Sequence, residues 1–152
     1  MSTVTVLYAT DCEGRVVHST PSKWMNRHSF IITDHPFLER GVYSRNEINV
    51  NRKGIGSDFA GSKPILFVES LRDAIKEALE RSGGSDIYVL GSDILTNKAL
   101  KYANHIIHTT YKGELDLVGK GTVTIRDDTW NRIRLVNKEH ERVTQYVRRN
   151  FE

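Results

Sequence analysis

The chain has 152 residues, 38% of them apolar and 27% charged, which describes an ordinary globule and excludes a compositionally disordered chain. No window approaches the ~18 apolar residues of a membrane span, and a single cysteine, Cys12, allows no internal disulfide, so the expected setting is the reducing cytoplasm, away from membranes. The 22 basic residues exceed the 19 acidic ones by only a net +3; with no aromatic-interleaved basic motif beside it, that excess argues against nucleic acid as the partner.

In chain order, TVTVLYAT (residues 3–10) is β-branched and apolar, the pattern of a buried strand. DCEG follows as a turn and RVVH as a short extended piece. SKWMNRHSFIITDHPF (22–37) admits two readings, a strand closing at Trp24-Met25 with Phe30 to Ile32 continuing it, or a helical turn opening at Phe30. EINVNR (47–52) alternates, which makes a half-buried strand with Ile48 and Val50 inward. KGIGSDFAGSK (53–63) reads as a loop and PILFVES (64–70) as a buried strand. The clearest helix comes next: Ser70 is the N-cap, Asp73 stands at the capping-box position, and Leu71, Ile75, Ala78 and Leu79 form the apolar stripe. Gly83-Gly84 ends it. A strand IYVL, a helix from near Asp93 and a strand HIIHTTY follow; GTVTI, WNRIRLV and RVTQYVRRNF then all read as β. Strand and helix alternation followed by a hairpin predicts one α/β domain, 1–152, with a mostly parallel sheet and an antiparallel C-terminal edge.

SDIYVLGSDILTNKAL (85–100) poses the functional question, because its strand turns through Gly91 straight into a helix. Ligands of open parallel sheets sit at the carboxyl ends of the strands. The first N–H groups of a following helix lack partners there and can hold a phosphate. The plain alternative is a tight turn at Gly91 with Ser92 or Asp93 capping the helix. Asp93 also brings negative charge to the same place.

The context of that stretch resembles a known family. Residues 70–123 follow the order of motifs in the C-terminal half of dihydrofolate reductases: S-x-x-E-A-I, V-I-G-G, A-L-P-x-A-D, L-x-L-T-x-I and E-G-D-T-x-F-P. HERVTQYVRRNF resembles the family's closing H-x-Y-x-F strand, and VLYATDCEGRVV its first strand and turn. WMNRHSF resembles V-M-G-R-x-T-F, and SRNEINVNR resembles G-R-x-N-I-V-L-S-R. The resemblance implies a dihydrofolate-reductase-like fold, with NADPH as cofactor and dihydrofolate or another pterin as partner. It places Ala9 beside the pterin, Thr109 behind the substrate acid and Arg45 on the folate tail carboxylate. It places Asn26, Arg27, His28, Ser29, Asn51 and Arg52 on the adenosine and phosphate side, and Gly91, Ser92, Asp93 and Ile94 at the cofactor diphosphate.

The departures fall where the reaction should be. HSTPSK (18–23) is all that separates VLYATDCEGRVV from the V-M-G-R counterpart, too little for a substrate loop and a helix, since two helical turns alone need ~7 residues. The family's catalytic carboxylate has no matching position, and no catalytic residue is assigned. Asp11, Glu13 and Asp34 read as solvated turn acids, and the histidine spacings offer no metal set. Ser92 and Asn26 each replace a family glycine. The first expectation is therefore an NADPH-dependent pterin reductase of shortened, divergent form. The second is a weak or inactive descendant serving as a binding or interaction module. A third is docking on an anionic partner through Arg142, Arg148 and Arg149. Sheet left bare by a lost helix would suit a second copy, so a homo-oligomer stays open.

Overall fold

The computed structural model describes residues 3–17, 29–34, 47–50, 66–68, 70–113 and 121–149. Its elements are β1 (Val4–Thr10), β2 (Val16–Val17), β3 (Phe30–Thr33), β4 (Glu47–Val50), β5 (Leu66–Val68), α1 (Leu71–Arg81), β6 (Ile87–Val89), α2 (Asp93–Ala99), β7 (His105–Tyr111), β8 (Trp130–Asn137) and β9 (Glu141–Arg148). Among the described residues these strands form one sheet in the order β5-β4-β3-β6-β1-β7-β9-β8, with β2 beside β1. From β5 through β7 the neighbours along that path are parallel. β9 runs antiparallel to both β7 and β8, which makes the C-terminal edge the expected hairpin.

β1 is the centre because it can be buried on both faces, and all seven of its residues are buried. Val4, Val6 and Tyr8 face one side, where they pack with Ile32, Ile87, Val89 and Ile106 under Leu71, Ala74, Ile75 and Ala78 of α1 and Leu95 and Ala99 of α2. Leu7 faces the other side with Ile31, Leu90, Ile107 and Val143. Both helices thus cover the same face of the sheet.

α1 starts as its sequence dictates. Ser70 is extended and its side chain accepts the Asp73 N–H at 3.2 Å, satisfying one of the orphan donors of the first turn. Ser70→Ala is expected to lower stability by about 1 kcal/mol, read as a shift in the urea midpoint at unchanged slope. Past the C-cap Ser82, Gly83 and Gly84 take φ of 57° and 97°, values that favour glycine and turn the chain into β6.

Of the two readings of the segment from Phe30, the strand holds: Phe30–Thr33 is β3, because its parallel pairing with β4 and β6 satisfies its backbone on both sides. Two expectations need correction. GTVTI is not a strand among the described residues; it contributes one isolated bridge, Thr122 to Arg15. Leu79 is 50% exposed, and Ala74 takes its place on the buried stripe of α1.

Candidate functional site

Two neighbouring strands whose onward connections part in opposite directions leave a crevice between their carboxyl ends. β3 leads to β4 on one side, and β6 leads across β1 to β7 on the other. The crevice therefore lies where Asp34 follows β3 and Gly91-Ser92 follows β6.

Ser92 caps α2: it is extended, at φ −65° and ψ 164°, and its Oγ accepts the Leu95 N–H at 3.1 Å. Its own N–H donates to Asp34 Oδ1 at 2.9 Å, and its hydroxyl donates to Asp34 Oδ2. Both donors of Ser92 are thus committed to one carboxylate. A Cβ on Gly91 would run into that carboxylate and stand 3.1 Å from Leu95 Cδ2. The glycine is required by Asp34, within the protein itself. Asp93 packs against Gly121, where a Cβ would overlap the Asp93 carboxylate. Asn97 Nδ2 donates to Thr122 O at 2.8 Å, which ties the same segment to α2.

A cleft of about 560 Å³, with Asp34 in its lining, lies between the first turn of α1 and α2. Val50, Leu71, Ile94 and Tyr102 give it an apolar wall, and Arg72, Lys98 and Lys101 give it cations. Ile94, Lys98 and Lys101 follow helical spacing, so they share one side of α2 and its C-terminal extension. Ile94 is 63% exposed there. Arg72 stands in the first turn of α1, where the helix dipole disfavours a cation and so adds to the positive potential of the cleft. Among the described residues, no carboxylate forms an ion pair with Arg72, Lys98 or Lys101. Cations beside an apolar wall fit a phosphorylated nucleoside. At the start of α2 the Asp34 and Asp93 carboxylates oppose a diphosphate, and the Ser92 N–H and hydroxyl are already given to Asp34.

On the face opposite the helices, Ala9 and Thr109 are register partners across β1 and β7, and both are buried. The helix face of the same two strands carries a polar cluster. The His108 ring stacks on Tyr8 with centroids 4.3 Å apart and planes 8° apart, and His108 Nε2 lies 2.7 Å from Thr10 Oγ1. Burial lowers the His108 pKa to about 4, with the Arg142 charge adding to the effect. Burial also pushes the Tyr8 hydroxyl well above its ordinary value, helped by Tyr146. At the end of β1, burial of Asp11 would raise its carboxyl pKa. The backbone N–H groups of Arg15 and Glu13 and the Arg15 guanidinium outweigh that and hold it below the usual value.

No protein-family model matches the chain, and no curated protein matches it in sequence. Solved structures do match in three dimensions. Dihydrofolate reductase from Enterococcus faecalis, complexed with NADP(H) and RAB-propyl, superposes with a TM-score of 0.69 over 97% of this chain and 97% of its own, at 11% identity. The fold is dihydrofolate-reductase-like. A putative riboflavin biosynthesis protein from Shewanella sp. PV-4 shares it, with a TM-score of 0.64 over 97% of this chain and 99% of its own, at 12% identity.

Within this dihydrofolate-reductase-like fold, the expected site residues separate. Gly91, Ser92, Asp93 and Ile94 lie together at the carboxyl end of β6, as the motif order implied. Ser29 does not join them. It precedes β3, whose first residue, Phe30, is the register partner of Ile87 at the amino end of β6, so it stands at the far end of the strands. Asn26, Arg27, His28, Arg45, Asn51 and Arg52 lie outside the described residues. Asp34, read from the sequence as a solvated turn acid, is instead half-buried and bound to Ser92. Of the arginines in the docking expectation, Arg148 is half-buried, with its guanidinium 4.8 Å from the buried Trp130 ring and its Nε donating to Ala103 O at 2.9 Å; Arg142 and Arg149 are exposed, and Arg149 Nε donates to Asp127 O at 2.5 Å.

Proposed function

We propose that this protein is a nicotinamide-nucleotide-dependent reductase of dihydrofolate or a related pterin, working at the carboxyl-end crevice of the sheet. The observation that carries the reading is a match of fold over 97% of the chain to a reductase solved with NADP(H), joined to a cleft with cations and an apolar wall at the place the topology selects. In this reading Ala9 stands beside the pterin ring, Thr109 takes the position behind the family's substrate acid, and Arg45 holds a tail carboxylate. Asn26, Arg27, His28, Asn51 and Arg52 stand on the adenosine side, and Gly91, Ser92, Asp93 and Ile94 border the cofactor. A second reading, a descendant that binds without turnover, is favoured by the Asp34 carboxylate on both Ser92 donors.

Two measurements decide. Titration with NADPH is expected to change tryptophan fluorescence saturably, and adding dihydrofolate is expected to start NADPH oxidation. Saturable binding with no oxidation gives the second reading; no binding at all removes both.

A further inference from the structure

The sheet ends at β8, and among the described residues no strand pairs along its outer side. β8 is eight residues long and reads WNRIRLVN, with no carboxylate in it. In an antiparallel ladder alternate residues bond to one neighbour, so half of the β8 backbone groups face away from β9. Two kinds of side chain stand along this edge. Ile133 and Leu135 are exposed at 57% and 42%. Arg132 and Arg134 are exposed as well, and among the described residues they form no ion pair. The acids that flank the strand in sequence serve other cations: Asp128 pairs with Arg126, Glu139 lies beside His140, and Glu141 pairs with Lys138.

Pairing with β9 fixes how these side chains are presented. Arg132 is opposite Tyr146, Arg134 opposite Gln145 and Leu135 opposite Thr144, with the register shifting between Arg132 and Arg134. Ile133 is the extra residue of that bulge, so Arg132 and Leu135 share one face of the sheet and Arg134 takes the other. A strand added outside β8 in the antiparallel sense meets them in a set order: an apolar residue against Leu135, a carboxylate against Arg134, then a second carboxylate against Arg132. Charges and bulges also keep bare edges from pairing, but edges protected in that way are short or polar. This one is long and carries two large apolar side chains. A second copy of the chain is a poor occupant, since two β8 strands laid together gather four arginines with no acid between them.

We infer that the β8 edge docks an extended acidic segment of another protein as an added antiparallel strand, with adjacent carboxylates on Arg132 and Arg134 and an apolar side chain beside Leu135. The inference goes beyond the reductase reading and does not depend on it. β8 lies four strands along the sheet from β6, about 19 Å at the usual strand spacing, so a docked segment stands clear of the crevice.

Fluorescence anisotropy of a labelled, end-blocked peptide, Thr-Val-Leu-Glu-Glu-Val-Thr, titrated with the full chain tests this. Saturable binding is expected, and Arg132→Glu with Arg134→Glu should weaken it at least about tenfold. Arg132→Ser with Arg134→Ser should act in the same direction and covers the case in which charge reversal perturbs folding. The peptide with Lys-Lys in place of Glu-Glu should bind the charge-reversed protein better than the unaltered one. Methylating one alternate set of the peptide's backbone nitrogens should abolish binding, and methylating the other set should leave it within about threefold, because only one set faces the edge. No saturable binding, binding that survives both arginine double variants, or equal loss from the two methylated sets overturns the added strand. A thymidine oligonucleotide that binds more tightly than the peptide, with the same loss on charge reversal, overturns it in favour of a polyanion site. Dimerisation in sedimentation that these variants abolish overturns it in favour of a second copy.

Discussion

Gly91→Ala is expected to destabilise the protein by about 3 kcal/mol, a loss assembled from overpacking and broken charge-assisted hydrogen bonds. The new methyl would overlap the Asp34 carboxylate and crowd Leu95 Cδ2 at 3.1 Å. Leu95 is 4% exposed and has little room to yield. The carboxylate could swing away, but it would then release the Ser92 N–H, now 2.9 Å from Oδ1, and the Ser92 hydroxyl. The effect should therefore depend on Asp34. In an Asp34→Ala background the same glycine substitution should cost markedly less, giving a coupling of at least about 1 kcal/mol in a double-mutant cycle. Urea midpoints of the four proteins supply the numbers. Strict additivity would mean that Gly91 is held by something other than the acid beside it.

That dependence marks where the sequence could be read and where it could not. The strand-to-helix entrance at Gly91-Ser92 was visible in the order of residues alone, as were the Ser70 cap, the Gly83-Gly84 stop and the parallel sheet with its antiparallel edge. These are set by contacts within a few residues or by the period of apolar side chains, and both are properties of a linear string. Asp34 was not readable as part of the crevice. It lies 58 residues from Ser92 in the chain and meets it only because β3 and β6 are neighbours in the sheet, a pairing that no local pattern encodes. Lys98 and Lys101 stand in the sequence as basic residues three apart. Their convergence with Arg72, from the start of another helix, needed the fold. GTVTI misleads for the complementary reason: β-branched composition states what a segment can do, and among the described residues it pairs only through the bridge of Thr122 to Arg15. Ser29 was assigned through a short motif likeness, which carries residue types but not the end of the strand they occupy.

A second large effect is expected from acid. His108 lies on the helix face between Tyr8 and the Thr10 and Thr110 hydroxyls, with Nε2 at 2.7 and 3.4 Å from them. In the unfolded chain its imidazole titrates near 6.5; in the folded protein burial, joined by the Arg142 charge, lowers this to about 4. Between those values the unfolded chain holds the extra proton, so stability falls as the pH drops from about 6.5 towards about 4, and the contribution is fully present above 6.5. Moving from pH 7 to pH 5 should remove about 2 kcal/mol through this residue alone. His108→Gln can still bond the threonine hydroxyls and cannot charge in this range. Its urea midpoint is expected to be lower than that of the unaltered protein at pH 7, through lost stacking on Tyr8, yet to decline much less between pH 7 and pH 5. Subtracting the two pH profiles cancels the other five histidines and the carboxylates. A difference profile that is flat across this interval would mean that the imidazole takes up its proton in the fold as readily as in the unfolded chain, and that the ring lies open to water rather than sealed against Tyr8.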